Sequence, residues 1–178
     1  MAFAVELFPD PDTEAAVRTM WRALADAGLS RTLLEIGSYP HVSLADCGDL
    51  DADRFRPVLQ AFAGETPPLE FVLASVGVFP TGEGVIFLAP VVTRRLLDLH
   101  QTFHIRFSGF GAVSSAYYLP GNWVPHCTLA TGVAAAAMLE TVRVCLENTR
   151  TIRGRFERVA LVEFRPVKVV YAFSLTGG

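Results

Sequence analysis

Apolar and polar positions alternate between two periods along this chain, and they predict a repeated strand–helix–strand order. The run Phe3–Phe8 reads as a first strand. Ala16, Val17, Met20, Leu24 and Ala27 then recur at helical spacing, with Asp10 or Asp12 as the cap and Gly28 as the stop. Tyr39–Cys47 reads as a strand, and Asp51 opens a second helix ending near Gly64. Leu69–Phe79 and Val85–Ala89 read as strands around the turn Pro80-Thr81-Gly82-Glu83-Gly84. The second half repeats this order. A helix runs from about Val92 to Phe107, and a loop rich in Gly, Ser and aromatics spans Ser108 to Val124. A strand follows over His126–Thr131, then a helix over Ala134–Asn148. Arg155–Phe164 and Val169–Leu175 close the chain as strands around Pro166. Short connections between neighbouring strands predict mainly antiparallel pairing. With no linker or low-complexity segment, residues 1–178 read as one domain of two intimately packed lobes.

Within this pattern a five-residue segment recurs. It is Pro40-His41-Val42-Ser43-Leu44 in one half and Pro125-His126-Cys127-Thr128-Leu129 in the other, and an Ala follows each. Two of the four histidines of the chain lie in it. On a strand, residues i and i+2 share a face. His41 and Ser43 therefore project together, as do His126 and Thr128, while Val42, Leu44, Cys127 and Leu129 point into a core. Two such strands brought together would gather two imidazoles and two hydroxyls around one volume. Imidazole titrates near neutral pH, so one ring can act as base and the other as acid. Hydroxyls can bind an oxyanion. That set suits attack on a phosphodiester without a metal. Packing alone would explain the Pro and Leu of the repeat better than its polar pair.

The duplicated His-x-Ser/Thr-Leu motif resembles that of the 2H phosphoesterases, which include the 2′-5′ RNA ligase / RNA 2′,3′-cyclic phosphodiesterase proteins. The resemblance extends over most of the chain, from Phe3-Ala4-Val5-Glu6-Leu7 to the closing strand Val169–Leu175. It implies an α+β, bilobal, pseudo-twofold fold: two mainly antiparallel sheets, helices outside and a central cleft with the His pair at its base. It also implies substrates that are 2′,3′-cyclic phosphates or 2′-5′-linked nucleotides, with RNA-end ligation as the reverse reaction and no cofactor. By the same analogy His41 is the acid toward a 2′-oxygen leaving group and His126 the base. One position departs from the pattern. Many RNA-processing members carry an Arg after the second motif, where this chain has Thr131, and Asp46 follows the first motif. A small cyclic phosphate or short oligonucleotide fits that charge better than long RNA.

Charge sharpens this expectation. Net charge is −3, against a general nucleic-acid binder. Residues 1–83 carry 13 acids and 5 bases, and residues 84–178 carry 5 acids and 10 bases, so attraction for phosphate belongs to the second half. Apolar residues make up 51 % of the chain and charged ones 19 %, enough to bury a sizeable core. No apolar run reaches the roughly 18–20 residues of a membrane span, and the first residues do not form a signal peptide. Cys47, Cys127 and Cys145 fit neither a disulfide framework nor a zinc pattern, which points to a reducing, cytoplasmic setting. A monomer is expected. His100 and His104 are four apart on a helix but have no third ligand beside them, so no metal site is expected.

Tyr118 and Trp123 lie on the aromatic loop before the second motif, and Tyr39 lies just before the first. Their rings can stack on a base, or can pin their segments to the core. The alternatives to a 2′,3′-cyclic phosphodiesterase are an enzyme for other cyclic nucleotide signals or ADP-ribose cyclic phosphate, and a nucleotide-binding module without turnover.

Overall fold

The computed structural model describes residues 2–164 and 166–178. Seven strands and five helices alternate along it. They are β1 (Ala2–Pro9), α1 (Pro11–Asp26), α2 (Thr32–Glu35), β2 (Val42–Cys47), α3 (Ala52–Glu65), β3 (Leu69–Val78) and β4 (Ile86–Pro90), then α4 (Arg94–Gly109), β5 (Cys127–Ala130), α5 (Met138–Asn148), β6 (Ile152–Phe164) and β7 (Lys168–Ser174). Asp10 caps α1 by accepting from the Thr13 N–H at 2.9 Å, and Pro11 occupies the first turn, where no N–H is needed. Asp51 and Thr93 cap α3 and α4 in the same way. The short helix α2 lies where the apolar pattern predicts no element, because four residues are too few to show a period.

Every ladder is antiparallel, in the order β2-β1-β6-β3-β4-β5, with β7 also on β6. Strand β6 joins the two lobes. Its C-terminal part carries β1 and β7, and its first residues carry β3. The halves are thus one hydrogen-bonded network, with the two motif strands β2 and β5 at its opposite ends.

Alternation sets the core. Phe3, Val5 and Leu7 of β1 join Val42 and Leu44 of β2, Cys127 and Leu129 of β5, and the buried faces of the helices in the principal cluster. The opposite face of β1 carries Phe8 against Ala160 and Val162 in a smaller cluster. Glu6 shares that face, between Ser43 of β2 and Ala160 of β6. No described helix is long and apolar enough to cross a membrane.

Candidate active site

Each motif histidine sits one residue before its strand, and both are held in the same way. The His41 Nδ1–H donates to the Tyr39 carbonyl at 2.6 Å, and the His126 Nδ1–H donates to the Val124 carbonyl at 2.7 Å. A carbonyl only accepts, so this bond fixes the tautomer and leaves Nε2 as the reactive nitrogen of each ring. The acceptor in both cases is the carbonyl two residues back. The intervening proline has a fixed φ and holds the preceding residue extended. The Pro of the repeat thus aims the imidazole, a role its apolar character hides.

The strands at the two ends of the sheet order come together here. His41, His126 and Thr128 line one cleft of about 610 Å³. Their charges interact: burial lowers the pKa of His126, the bond to the Val124 carbonyl raises it, and nearby His41 lowers it again. Phe79 meets the His126 ring edge-on at 4.9 Å, and Phe87 packs against it at 5.4 Å. Opposite Phe87 in the β3–β4 ladder stands Gly77, where an added Cβ would lie 2.5 Å from the Phe87 ring. The glycine makes room for the ring that flanks the histidine.

The hydroxyls differ between the halves. Thr128 faces the cleft, whereas Ser43 is buried outside its lining, near the Tyr118 side chain, which does line it. Burial raises the Tyr118 phenol pKa, with nearby Asp46 adding to the effect, so the group remains a neutral donor. Of the loop aromatics, Tyr118 is therefore at the cleft. Trp123 is not among the residues that line it. It is buried, stacks on His100 at 3.9 Å with ring planes 2° apart, and donates its indole N–H to the Ser43 carbonyl at 2.9 Å. Tyr39 also lies outside the lining, stacked on Phe8 at 5.6 Å with the Arg18 guanidinium over its ring. Both rings pin segments to the body of the fold, which is the packing alternative for these loop aromatics.

The other lining residues include Leu33, Phe79, Tyr117, Asn122 and Thr131, with Asp46 and Glu83 as carboxylates and, among the described residues, neither Arg nor Lys. Asp46 is occupied: Oδ1 accepts from the Ser115 N–H at 2.9 Å and from the Ser114 hydroxyl at 3.1 Å, tying the aromatic loop to β2. The His100 and His104 rings pack against each other beneath this loop, with centroids 4.4 Å apart and planes tilted by 59°. Burial lowers the pKa of both, that of His100 to about 4. No group of three or more His, Cys, Asp or Glu that could hold a metal occurs among the described residues.

One polar group at the site escapes the motif pattern. The carboxylate of Glu6 approaches His41 Nε2 at 3.5 Å. A charged residue interrupting an apolar strand is the signal that marks it.

Comparison with known proteins follows the same lines. The sequence model of the 2′-5′ RNA ligase superfamily matches residues 9–167. No curated protein matches the chain in sequence. Among solved structures, TT0787 of Thermus thermophilus superposes with a TM-score of 0.66 at 19 % identity, over 99 % of each chain. Escherichia coli LigT, in a crystal complex with 3′-AMP, superposes with a TM-score of 0.63 at 15 % identity, over 98 % of this chain and 97 % of that one. At these identities the structural likeness concerns the fold.

Proposed function

The chain belongs to the 2′-5′ RNA ligase superfamily, and from that premise we propose that it is a metal-independent phosphodiesterase acting on 2′,3′-cyclic phosphates or 2′-5′-linked nucleotides. The observation that carries this reading is the pair of imidazoles lining one cleft, each with Nδ1 bonded to a backbone carbonyl. Two rings with Nδ1 held by a carbonyl and Nε2 left as the reactive nitrogen provide a base and an acid for one displacement at phosphorus. On a cyclic phosphate, Nε2 of His126 takes a proton from water as the water oxygen bonds to phosphorus. The bond from phosphorus to one ribose oxygen breaks, its electron pair stays on that oxygen, and the oxygen takes a proton from Nε2 of His41. The product is a phosphomonoester. The Thr128 hydroxyl, and the Tyr118 phenol beside buried Ser43, supply hydrogen bonds to the non-bridging oxygens as charge builds there.

The lining favours a ligand with one phosphate. Asp46 and Glu83 repel extra negative charge, while Tyr117, Tyr118, Phe79 and Leu33 offer rings and an apolar surface to a base. A short, cyclic-phosphate-ended nucleotide is the substrate this chemistry suits. Reverse ligation of RNA ends would use the same groups.

The test is phosphomonoester release from 2′,3′-cyclic AMP and GMP with chelator present, in the wild type and in His41→Ala and His126→Ala. Turnover lost in both variants supports the reading. Binding without turnover in the wild type would favour a nucleotide-binding module instead.

A further inference from the structure

Glu6 is the one charged residue of β1, and it is 6 % exposed. A buried carboxylate in a strand is costly unless it is paired, and replacing such a group by an apolar one commonly leaves stability unchanged or improved. Fold stability is therefore a poor reason for Glu6. Burial raises its pKa above the ordinary carboxylate value, and the positive charge of His41 offsets part of that rise.

The two motif histidines are alike at Nδ1 and unlike at Nε2. Nε2 of His41 faces Glu6 Oε1 at 3.5 Å. The His126 ring packs against the Phe79–Phe87 pair, and among the described residues it has no carboxylate in ion-pair contact. With Nδ1–H committed to the Tyr39 carbonyl, a neutral His41 would turn a bare lone pair toward the carboxylate. A proton on Nε2 converts that repulsion into attraction, and low local dielectric strengthens it. The remaining groups around His41 do not substitute for Glu6. Burial pushes the Cys127 thiol up to about 12, and the Tyr118 phenol is also raised, so both are neutral. Asp46, on His41's own strand, is engaged by Ser114 and Ser115. His126, and Arg18 over the Tyr39 ring, bring positive charge or none.

We propose that Glu6 is a positioning residue that keeps a proton on Nε2 of His41, making His41 the acid of the pair and leaving His126, without such a partner, as the base. The inference rests on the phosphodiesterase reading and explains how a nearly symmetric site acquires two different roles. Glu6 touches His41 and not the substrate. Its loss should therefore appear in kcat and in the pH profile, with KM unchanged.

Glu6→Gln keeps the size and removes the charge. Its kcat on 2′,3′-cyclic AMP should fall roughly ten- to a hundredfold, as when a group that orients a catalytic residue is lost. The alkaline limb of its pH–rate profile should move to lower pH, while Glu6→Asp, which keeps the charge, holds that limb near its wild-type position. An unmoved alkaline limb in Glu6→Gln would overturn the proposal. A second measurement needs no variant and no turnover: ¹⁵N imidazole spectra of the wild type at neutral pH. Both ring nitrogens of His41 should be protonated, and His126 should carry its proton on Nδ1 alone. A neutral His41 with bare Nε2 would overturn the assignment even in an active enzyme. Wild-type protein that turns over no cyclic phosphate, yet shows this proton pattern, would instead sink the phosphodiesterase reading.

Discussion

Trp123 donates its indole N–H to the carbonyl of Ser43 at 2.9 Å, tying the approach to the second motif to the polar position of the first. Trp21 mirrors it from α1, donating to the carbonyl of Thr128 at 3.0 Å. Strands β2 and β5 end the sheet order, so each lacks a strand neighbour on one side. The two indoles satisfy carbonyls of these strands, one bond joining the second motif's approach to β2 and the other joining β5 to α1, so both span the two halves of the chain whose histidines line one cleft.

Removing either tie should be felt in stability and at the site. Trp123→Phe and Trp21→Phe each leave a carbonyl without its donor, at a cost of about 1–3 kcal/mol. Denaturant unfolding measures this. Both variants should also lose kcat through misplacement of the motif strands. Wild-type stability in both would mean the indole bonds contribute nothing net.

Replacing either motif histidine by Ala should reduce kcat by about 10²–10⁴-fold with the fold retained. Thr128→Ala should be milder, because it removes one hydrogen bond to phosphate, and Ser43→Ala milder still, because Ser43 is buried and outside the cleft lining. Rates on a 2′,3′-cyclic nucleotide, read beside thermal melts, test the order. Full activity in His41→Ala would remove it from the mechanism.

The inward positions of the repeat were legible because parity on a strand is a local rule. Val42, Leu44, Cys127 and Leu129 are all buried in the core, as alternation requires. The helix cap at Asp51 was legible from local pattern as well, and that of the first helix down to a choice between Asp10 and Asp12, which the structure resolves as Asp10. What local pattern does not carry is which strand lies next to which. Strand β6 runs from Ile152, ahead of the point where the apolar pattern begins, because its early residues pair with β3, and Gly154 packs against Thr13 and Asp10. Glu6 meets His41 only because β1 and β2 are neighbours. Trp123 faces Ser43 and His100 rather than the cleft, an outcome decided by contacts across the two halves.

Activity should follow a bell-shaped pH profile and survive chelation. The acidic limb reports protonation of the base. Burial lowers the pKa of His126, so that limb should lie below the ordinary imidazole value of about 6.5. Complete, metal-reversible inhibition by a chelator would contradict the two-histidine mechanism.

Stability should fall on acidification from about pH 6.5 to pH 4. His100 is held down to about 4 by burial, with His104 adding to the effect, whereas an unfolded imidazole takes a proton near 6.5. Between those values the unfolded chain binds the proton and the folded chain does not, so unfolding is favoured as pH drops. The contribution is intact above pH 6.5 and is on the order of a few kcal/mol. His100→Phe should flatten this part of the stability–pH curve. An unchanged slope would show that other groups carry the acid sensitivity.

Gly77→Ala should lower kcat more than stability. The added Cβ would stand 2.5 Å from the Phe87 ring, so the ring must shift, and Phe87 packs on His126. Overpacking of this kind costs about 1–3 kcal/mol. Measured kcat should fall as His126 is displaced, with the acidic limb of the pH profile moving too. Unchanged kinetics in a folded variant would mean that Phe87 does not hold the histidine.

Short substrates should bind in preference to long RNA. Affinity for a polyanion grows with each phosphate neutralised, and log Kd then changes with log salt by about 0.7 per phosphate for a single strand. Among the described residues the cleft lining has Asp46 and Glu83 and neither Arg nor Lys, with Thr131 also in it. A longer RNA ending in a cyclic phosphate should therefore gain little over a cyclic mononucleotide, and its binding should depend weakly on salt. Thr131→Arg should strengthen RNA binding and steepen the salt dependence by about one phosphate's worth of slope, with cyclic mononucleotide turnover retained. Titrations of both ligands at two salt concentrations decide the matter. Much tighter binding of the long RNA by the wild type, with a steep salt slope, would mean that the basic residues of the second half form a track leading away from the cleft, and the preference for small substrates would be wrong.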